Sequence, residues 1–195
     1  MKRSTLIIVS GASIVAAMSA AVLPVAAAPT GNGNGGGRGS SQAAAKPSVP
    51  TATATLTAAQ KAQLAFWVEE EKLARDLYLA LAAKYPSLPQ FANIAKSEAQ
   101  HMAAVQQLMR TYGVADPTVG KPAGVFTNAE LSALYNQLLN SATTPSAALA
   151  AGAAVERKDI ADLTAAKSST TAADVLRVIN AQIKASQGHL RAFTR

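Results

Sequence analysis

Two histidines, His101 and His189, are all that the chain contains, and both fall on the apolar stripes of expected amphipathic helices. His101 ends the run Ser97-Glu98-Ala99-Gln100-His101, so Glu98 stands one helical turn before it and on the same face. A carboxylate and an imidazole so placed are costly to bury and well suited to a divalent cation. Two further stripes carry acids at matching depth, Glu71 on one and Glu156 with Asp159 on another. Taken singly, each has an ordinary reading. Glu69 reads as part of a solvated acidic run, Glu70 competes with Glu71 through the stripe Phe66, Glu70, Leu73, Leu77, and Asp159 has Arg157, Lys158 or a charge on the next helix as ion-pair partners. Either histidine alone reads as a hydrogen-bonded core residue. Jointly the ordinary readings weaken, because four buried carboxylates without cations cost several kcal/mol each or take up protons. Two divalent ions balance Glu71, Glu98, Glu156 and Asp159 with both imidazoles neutral.

The elements that must position these groups are helices. Alanine is abundant after residue 55, glycine is rare there, and no segment alternates with period two, so the domain is expected to be all-α. Capping boxes mark the starts. Thr57 with Gln60 opens a first helix to about Lys84. Ser87 with Gln90 opens a second, ending near Tyr112 with Gly113 as the residue that follows it. Thr127 with Glu130 opens a short helix to about Leu139. Pro145-Ser146 opens a third long helix to about Ala166, and Thr171 with Asp174 a fourth towards Phe193. Written at 3-then-4 spacing, the stripes run Leu64, Trp67, Glu71, Ala74, Tyr78, Leu81; Phe91, Ile94, Glu98, His101, Val105, Leu108, Tyr112; Leu149, Gly152, Glu156, Asp159, Leu163, Ala166; and Val175, Val178, Gln182, Ser186, His189, Phe193. The first three are polar in the middle and the last from its middle onward, so in antiparallel pairs the polar levels can meet at one height. Two tight hairpins joined by about thirty residues that include the short helix form, as an expectation, a ferritin-like four-helix bundle with a long crossover between the second and third long helices.

The motifs carry a resemblance as well. Glu71-Lys-Leu-Ala-Arg-Asp-Leu-Tyr78, followed by Phe91, Ile94 and Glu98-Ala-Gln-His101, resembles the first half-site of rubrerythrin-type ferritin-like proteins, where a Glu seven residues before a Tyr faces an E-x-x-H helix. That match favours Glu71 over Glu70. From Leu64 to Arg195 the chain also resembles an uncharacterised prokaryotic ferritin-like family, whose elements stand here as Glu71-Lys-Leu-Ala-Arg-Asp, Ser97-Glu-Ala-Gln-His-Met102, Gly152-Ala-Ala-Val-Glu156, Asp159-Ile-Ala-Asp-Leu163 and His189-Leu-Arg-Ala-Phe193. The resemblance implies a dinuclear iron or manganese centre with Glu71, Glu98, His101, Glu156, Asp159 and His189 as metal ligands, and oxidation of Fe(II) or reduction of peroxide or O₂ as its chemistry. Tyr78 and Arg75 are candidates for orienting the ligands, Tyr78 equally for ordinary core. One departure is plain: Ser186 stands three before His189, where a second E-x-x-H needs a glutamate. Asp159, one turn after Glu156, is the residue available to stand in. The alternative is a non-enzymatic helical binding or envelope-associated module with a degenerate site; metal storage is a third and weaker reading.

Composition bounds the rest. Residues 1–28 read as a secretory signal: Lys2 and Arg3, an apolar run from Leu6 to Val25, and a small-residue cleavage region at Ala26–Ala28. The run is nearly long enough for a membrane anchor, but its small residues favour cleavage and hence a secreted or cell-envelope location without stable membrane insertion. Residues 29–55 are rich in Gly, Ala and Pro and have nothing to bury, which makes them an expected disordered linker. The domain is 56–195. The formal charge of +7 belongs largely to Lys2, Arg3, Arg38 and Lys46, leaving +3 for the domain. With no basic helical face interleaved with aromatics, nucleic acid is not an expected partner. The expected partners are metal ions and small oxidants, and a homodimer is the assembly left open. The absence of cysteine rules out disulfides, thiolate-bound zinc and iron–sulfur clusters.

Overall fold

A computed structural model describes residues 52–195. The expected signal segment and most of the expected linker lie outside the described residues. Within them the chain is all-helical, with α1 (Ala58–Lys84), α2 (Pro89–Tyr112), α3 (Ala129–Ser141), α4 (Pro145–Ser168) and α5 (Ala173–Phe193). No strand occurs among the described residues, and no described helix is long and apolar enough to cross a membrane.

The helix starts follow local chemistry, with instructive shifts. At α1 the expected box forms in full: Gln60 N–H donates to Thr57 Oγ1 at 3.2 Å and Thr57 N–H to Gln60 Oε1 at 2.8 Å. α2 starts two residues after Ser87, with Leu88 as its uncapped first flank. Pro89 in the first turn removes one donor that a cap would have satisfied. α3 is capped by Asn128, whose side chain accepts from the N–H groups of Glu130 and Leu131. The box expected at Thr127 does not form because Glu69 already accepts from Thr127 N–H, and from Asn128 N–H at 3.0 Å. Glu69 is therefore buried, not part of a solvated face. At α5 the first flank is Ala172, without a side-chain cap, since Asp174 is engaged by Tyr112 Oη at 2.7 Å and Thr53 Oγ1 at 2.5 Å. α4 begins with Thr144 accepting from Ala147 N–H and Pro145 in the first turn. Gly113 ends α2 at φ 63°, in the left-handed region that favours glycine.

Side-chain pairs give the helix directions. Tyr78 meets Phe91, with ring centroids 6.1 Å apart, and Arg75 reaches Met102, so α1 and α2 run antiparallel. Gly152 faces Phe193 and Asp159 faces Ser186, so α4 and α5 do likewise. The two hairpins meet along α1 and α4, through Glu70 with Lys158 and Tyr78 with Glu156, and along α2 and α5, through Gln182 with the His101 carbonyl and Tyr112 with Asp174. α3 packs on α1 and α4. Between α2 and α3, the connection is clamped by Lys72, which donates to Asp76 at 2.5 Å and to the Pro122 carbonyl at 2.7 Å.

Two apolar clusters fill the interior. One holds the ring trio Tyr78, Phe91 and Phe193 with α3's Leu131 and Leu138. The other holds Trp67, Val105, Leu108, Leu163 and Ile179. Each fully buried large side chain contributes about 1.5–3 kcal/mol. Separating the clusters along the stripes is a buried polar layer: Glu71, Glu98, Glu156, Gln182 and Ser186.

Candidate metal centre

Each stripe delivers its polar residues to that layer because an apolar cluster anchors it on either side. Glu71 lies between Leu64, Trp67 and Tyr78, Leu81 on α1, and Glu98 between Phe91, Ile94 and Val105, Leu108 on α2. Such packing at both ends leaves little freedom of register.

Glu98 is central. Its Oε2 lies 2.8 Å from His101 Nδ1 and its Oε1 2.8 Å from His189 Nδ1. Glu71 Oε2 is 3.4 Å from the same His101 nitrogen, and Glu156 Oε2 is 3.5 Å from that of His189. Two three-residue groups result, Glu71–Glu98–His101 and Glu98–Glu156–His189, each with donor atoms within 4.8 Å of one another. Glu98 belongs to both. The two imidazoles stack with centroids 5.7 Å apart.

Hydrogen bonding does not exhaust these atoms. Although Glu98 Oε1 and His189 Nδ1 are close, they are not aligned as donor and acceptor, and neither has a hydrogen-bond partner; nor has Glu71 Oε1. Orphaned buried atoms of this kind carry a cost of ~1–3 kcal/mol each, more where charged. The donor set of carboxylate oxygens and imidazole nitrogens suits iron, manganese and zinc.

The electrostatics follow from burial. Burial alone drives His101 towards neutrality, but Glu71 and Glu98 outweigh it and raise it to about 10. Glu156 and Glu98 likewise overcome burial to raise His189 to about 9. Glu98, although burial pushes it up, is held down to about 2 by the two histidines. Burial raises Glu71 well above the usual carboxylate range, and raises Glu156. Asp159, raised mainly by burial, sits at about 7. Without a cation, protons on the histidines perform the neutralisation.

Of the six candidate ligands, five form the two groups. Asp159 adjoins them: it lines one cavity of about 20 Å³ together with Glu71, Glu98 and Glu156. It pairs with neither Arg157 nor Lys158 but accepts from Ser186 Oγ at 2.7 Å. Ser186 thus has a partner role that its sequence position alone did not announce. Tyr78 donates to Glu156 Oε1 at 2.6 Å, which fits the orienting role considered for it. Arg75 does not take that role; its guanidinium is bound to Asp76, at 2.7 and 3.0 Å. Glu70 joins neither group and pairs with Lys158 at 2.6 Å. Gln182, which donates to the His101 carbonyl at 3.2 Å, had only its stripe position to signal it.

The chain is similar to uncharacterized protein MJ0754 of Methanocaldococcus jannaschii, at 40% identity over 141 residues, which cover 72% of this chain and 76% of that protein. A crystal structure described as hypothetical protein MJ0754 from Methanococcus jannaschii DSM 2661 matches with a TM-score of 0.70 at 39% identity, covering 75% of this chain and 82% of that one. Residues 60–195, which contain every residue of the candidate centre, match the family described as "Uncharacterized protein domain (DUF2202)", and the chain belongs to that family.

Proposed function

We propose that the polar layer is a dinuclear metal centre, with Glu71 and His101 serving one ion, Glu156 and His189 the other, Glu98 bridging, and Asp159 completing the carboxylate set. One observation carries the reading. Glu98 turns an oxygen towards each histidine, and its Oε1 lies 2.8 Å from His189 Nδ1 with no hydrogen bond made by either atom. Carboxylate oxygens and imidazole nitrogens that converge with their hydrogen bonding left incomplete are what a cation site offers and what a hydrogen-bonded core avoids. A ferritin-like four-helix bundle is the fold that suits this centre. In support, α1 is antiparallel to both α2 and α4, which makes α2 and α4 parallel to each other. The connection between them then has to travel the length of the bundle, with α3 on its outside.

When bound, two iron or manganese ions would supply electrons to a small oxidant, through oxidation of Fe(II) or reduction of peroxide or O₂. The chain's own residues do the holding. Tyr78 fixes one Glu156 oxygen and leaves the other towards His189. Ser186 fixes one Asp159 oxygen. The two apolar clusters flank the layer along the helices. Export through residues 1–28 to the cell exterior or envelope belongs to the same proposal, and sequencing the N-terminus of protein recovered outside the cell tests it.

Metal content tests the centre. Wild-type protein reconstituted anaerobically with Fe(II) should hold two ions per chain, His189→Ala one, and Glu98→Ala fewer than either. Equal content in all three would sink the reading. Peroxide turnover by the loaded protein with an external reductant then separates an enzyme from a binding module.

A further inference from the structure

Beside the proposed centre lies an ion cluster that the ligand set does not use. On α1, Glu70 is only 7% exposed. Its Oε1 accepts from Lys158 Nζ at 2.6 Å, while its Oε2 is buried with no hydrogen bond. Lys158, on α4, also donates to Asp162 one turn further on. Glu70 and Lys158 both line the cavity that Glu71, Glu98, Glu156 and Asp159 line, so this ion pair and the centre share one space, with Asp162 beside it on Lys158. That cavity, about 20 Å³, has room for a water or an ion. The remaining wall is apolar, from Leu73, Leu131 and Val155.

The three charged groups are not equally fixed. Glu70 is held within the packed interior, whereas the side chains of Lys158 and Asp162 are 33% and 34% exposed. A lysine on a four-carbon stem can leave such a position and stay hydrated. Its departure would strand a buried carboxylate, already lacking a partner for Oε2, facing a space that four more carboxylates line. A proton or another cation can replace it at small cost.

We propose that Glu70 and Asp162 form a separate divalent-cation site at the outer end of this cavity, through which ions reach the inner centre, and that the Lys158 ammonium holds the position until an ion displaces it. Glu70 receives the ion with its unpartnered Oε2, Asp162 first meets it from the solvent side, and Asp159 stands next inward. Lys158 acts as a stand-in cation that offsets one of the two carboxylate charges at the mouth while the site is vacant. This rests on the metal-centre reading, and it adds a second kind of site with its own residues.

Co(II) uptake tests it, with stoichiometry from equilibrium titration and rate from stopped-flow absorbance of the bound ion. Lys158→Gln should bind an additional Co(II) ion per chain, since Glu70 and Asp162 lose their resident cation. Asp162→Asn should fill the inner centre roughly tenfold more slowly with an unchanged final inner stoichiometry, because it removes a steering charge at the mouth. Unchanged stoichiometry in folded Lys158→Gln, or an unchanged rate in Asp162→Asn, overturns the proposal and leaves the inner centre standing. Should Lys158→Gln fail to fold by circular dichroism, the Asp162→Asn rate decides alone. A wild-type protein that takes up no Co(II) overturns the centre and the outer site together.

Discussion

Glu98 is the residue on which the proposed chemistry turns, yet its neighbours decide how it is held. Tyr78 is completely buried, and its hydroxyl donates to Glu156 at 2.6 Å. Tyr78→Phe removes that donor without changing the ring, so it should cost about 2 kcal/mol, the range for a buried hydrogen bond to a charged group. Urea denaturation of the metal-free protein reads this; an unchanged midpoint would mean that Glu156 finds another donor. Ser186 offers a finer test. Its hydroxyl holds Asp159 at 2.7 Å, and loss of a group that orients a ligand weakens metal affinity by about 10–100-fold. Ser186→Ala should therefore weaken one of two Co(II) binding steps and spare the other. If both steps move equally, or neither does, Asp159 has no part in the ligand set.

Helices carry the same logic over longer distances, and here the sequence was readable only in part. The 3-then-4 stripes identified the buried faces of α1 and α2 because periodicity is a local property that each segment displays by itself, and those of α4 and α5 in part, since the buried Val155 and Ile179 lie off them. Glu69, by contrast, looked solvated. The backbone donors it serves, at Thr127 and Asn128, lie more than fifty residues away and leave no mark on its own neighbourhood. The same contact displaced the expected cap of α3 by one residue, and the Tyr112–Asp174 contact removed the one expected at α5. Glu70 and Glu71 were inseparable by spacing for a similar reason. From Trp67 to Tyr78 every residue of α1 but Arg75 is buried, so both acids face packed neighbours, and only their distant partners distinguish them, Lys158 on α4 for Glu70 and His101 on α2 for Glu71. Glu69→Ala should leave the amides of Thr127 and Asn128 without acceptors, costing about 1–3 kcal/mol. Hydrogen exchange should quicken at the start of α3 and stay unchanged in α2 and α5. Uniform acceleration across all five helices would instead indicate that α3 does not open separately.

For the molecule as a whole, the buried layer couples cations to protons and both to stability. In the metal-free protein His101 and His189 are raised to about 10 and about 9, so the stability they lend is complete below their unfolded value of ~6.5 and is lost as pH climbs through 9 and 10. Asp159 adds in the same direction, because a carboxyl raised to about 7 by burial loses its favoured protonated form between pH ~3.9 and 7. Glu98 opposes at the acid end: lowered to about 2, its contribution is present above ~4.3 and is lost as pH falls towards 2. Bound cations reverse the dependence, since the imidazoles must be neutral to ligate and so must release their protons. Between pH 6 and 8 the melting temperature of chelator-treated protein should therefore fall, while the increment gained on adding Co(II) should grow. A dye titration at pH 7 in weak buffer should register protons released with each ion bound. An increment that stays level or shrinks over that range, with no proton release, would mean that the histidines are not ligands and that their charge serves only to neutralise the carboxylates around them.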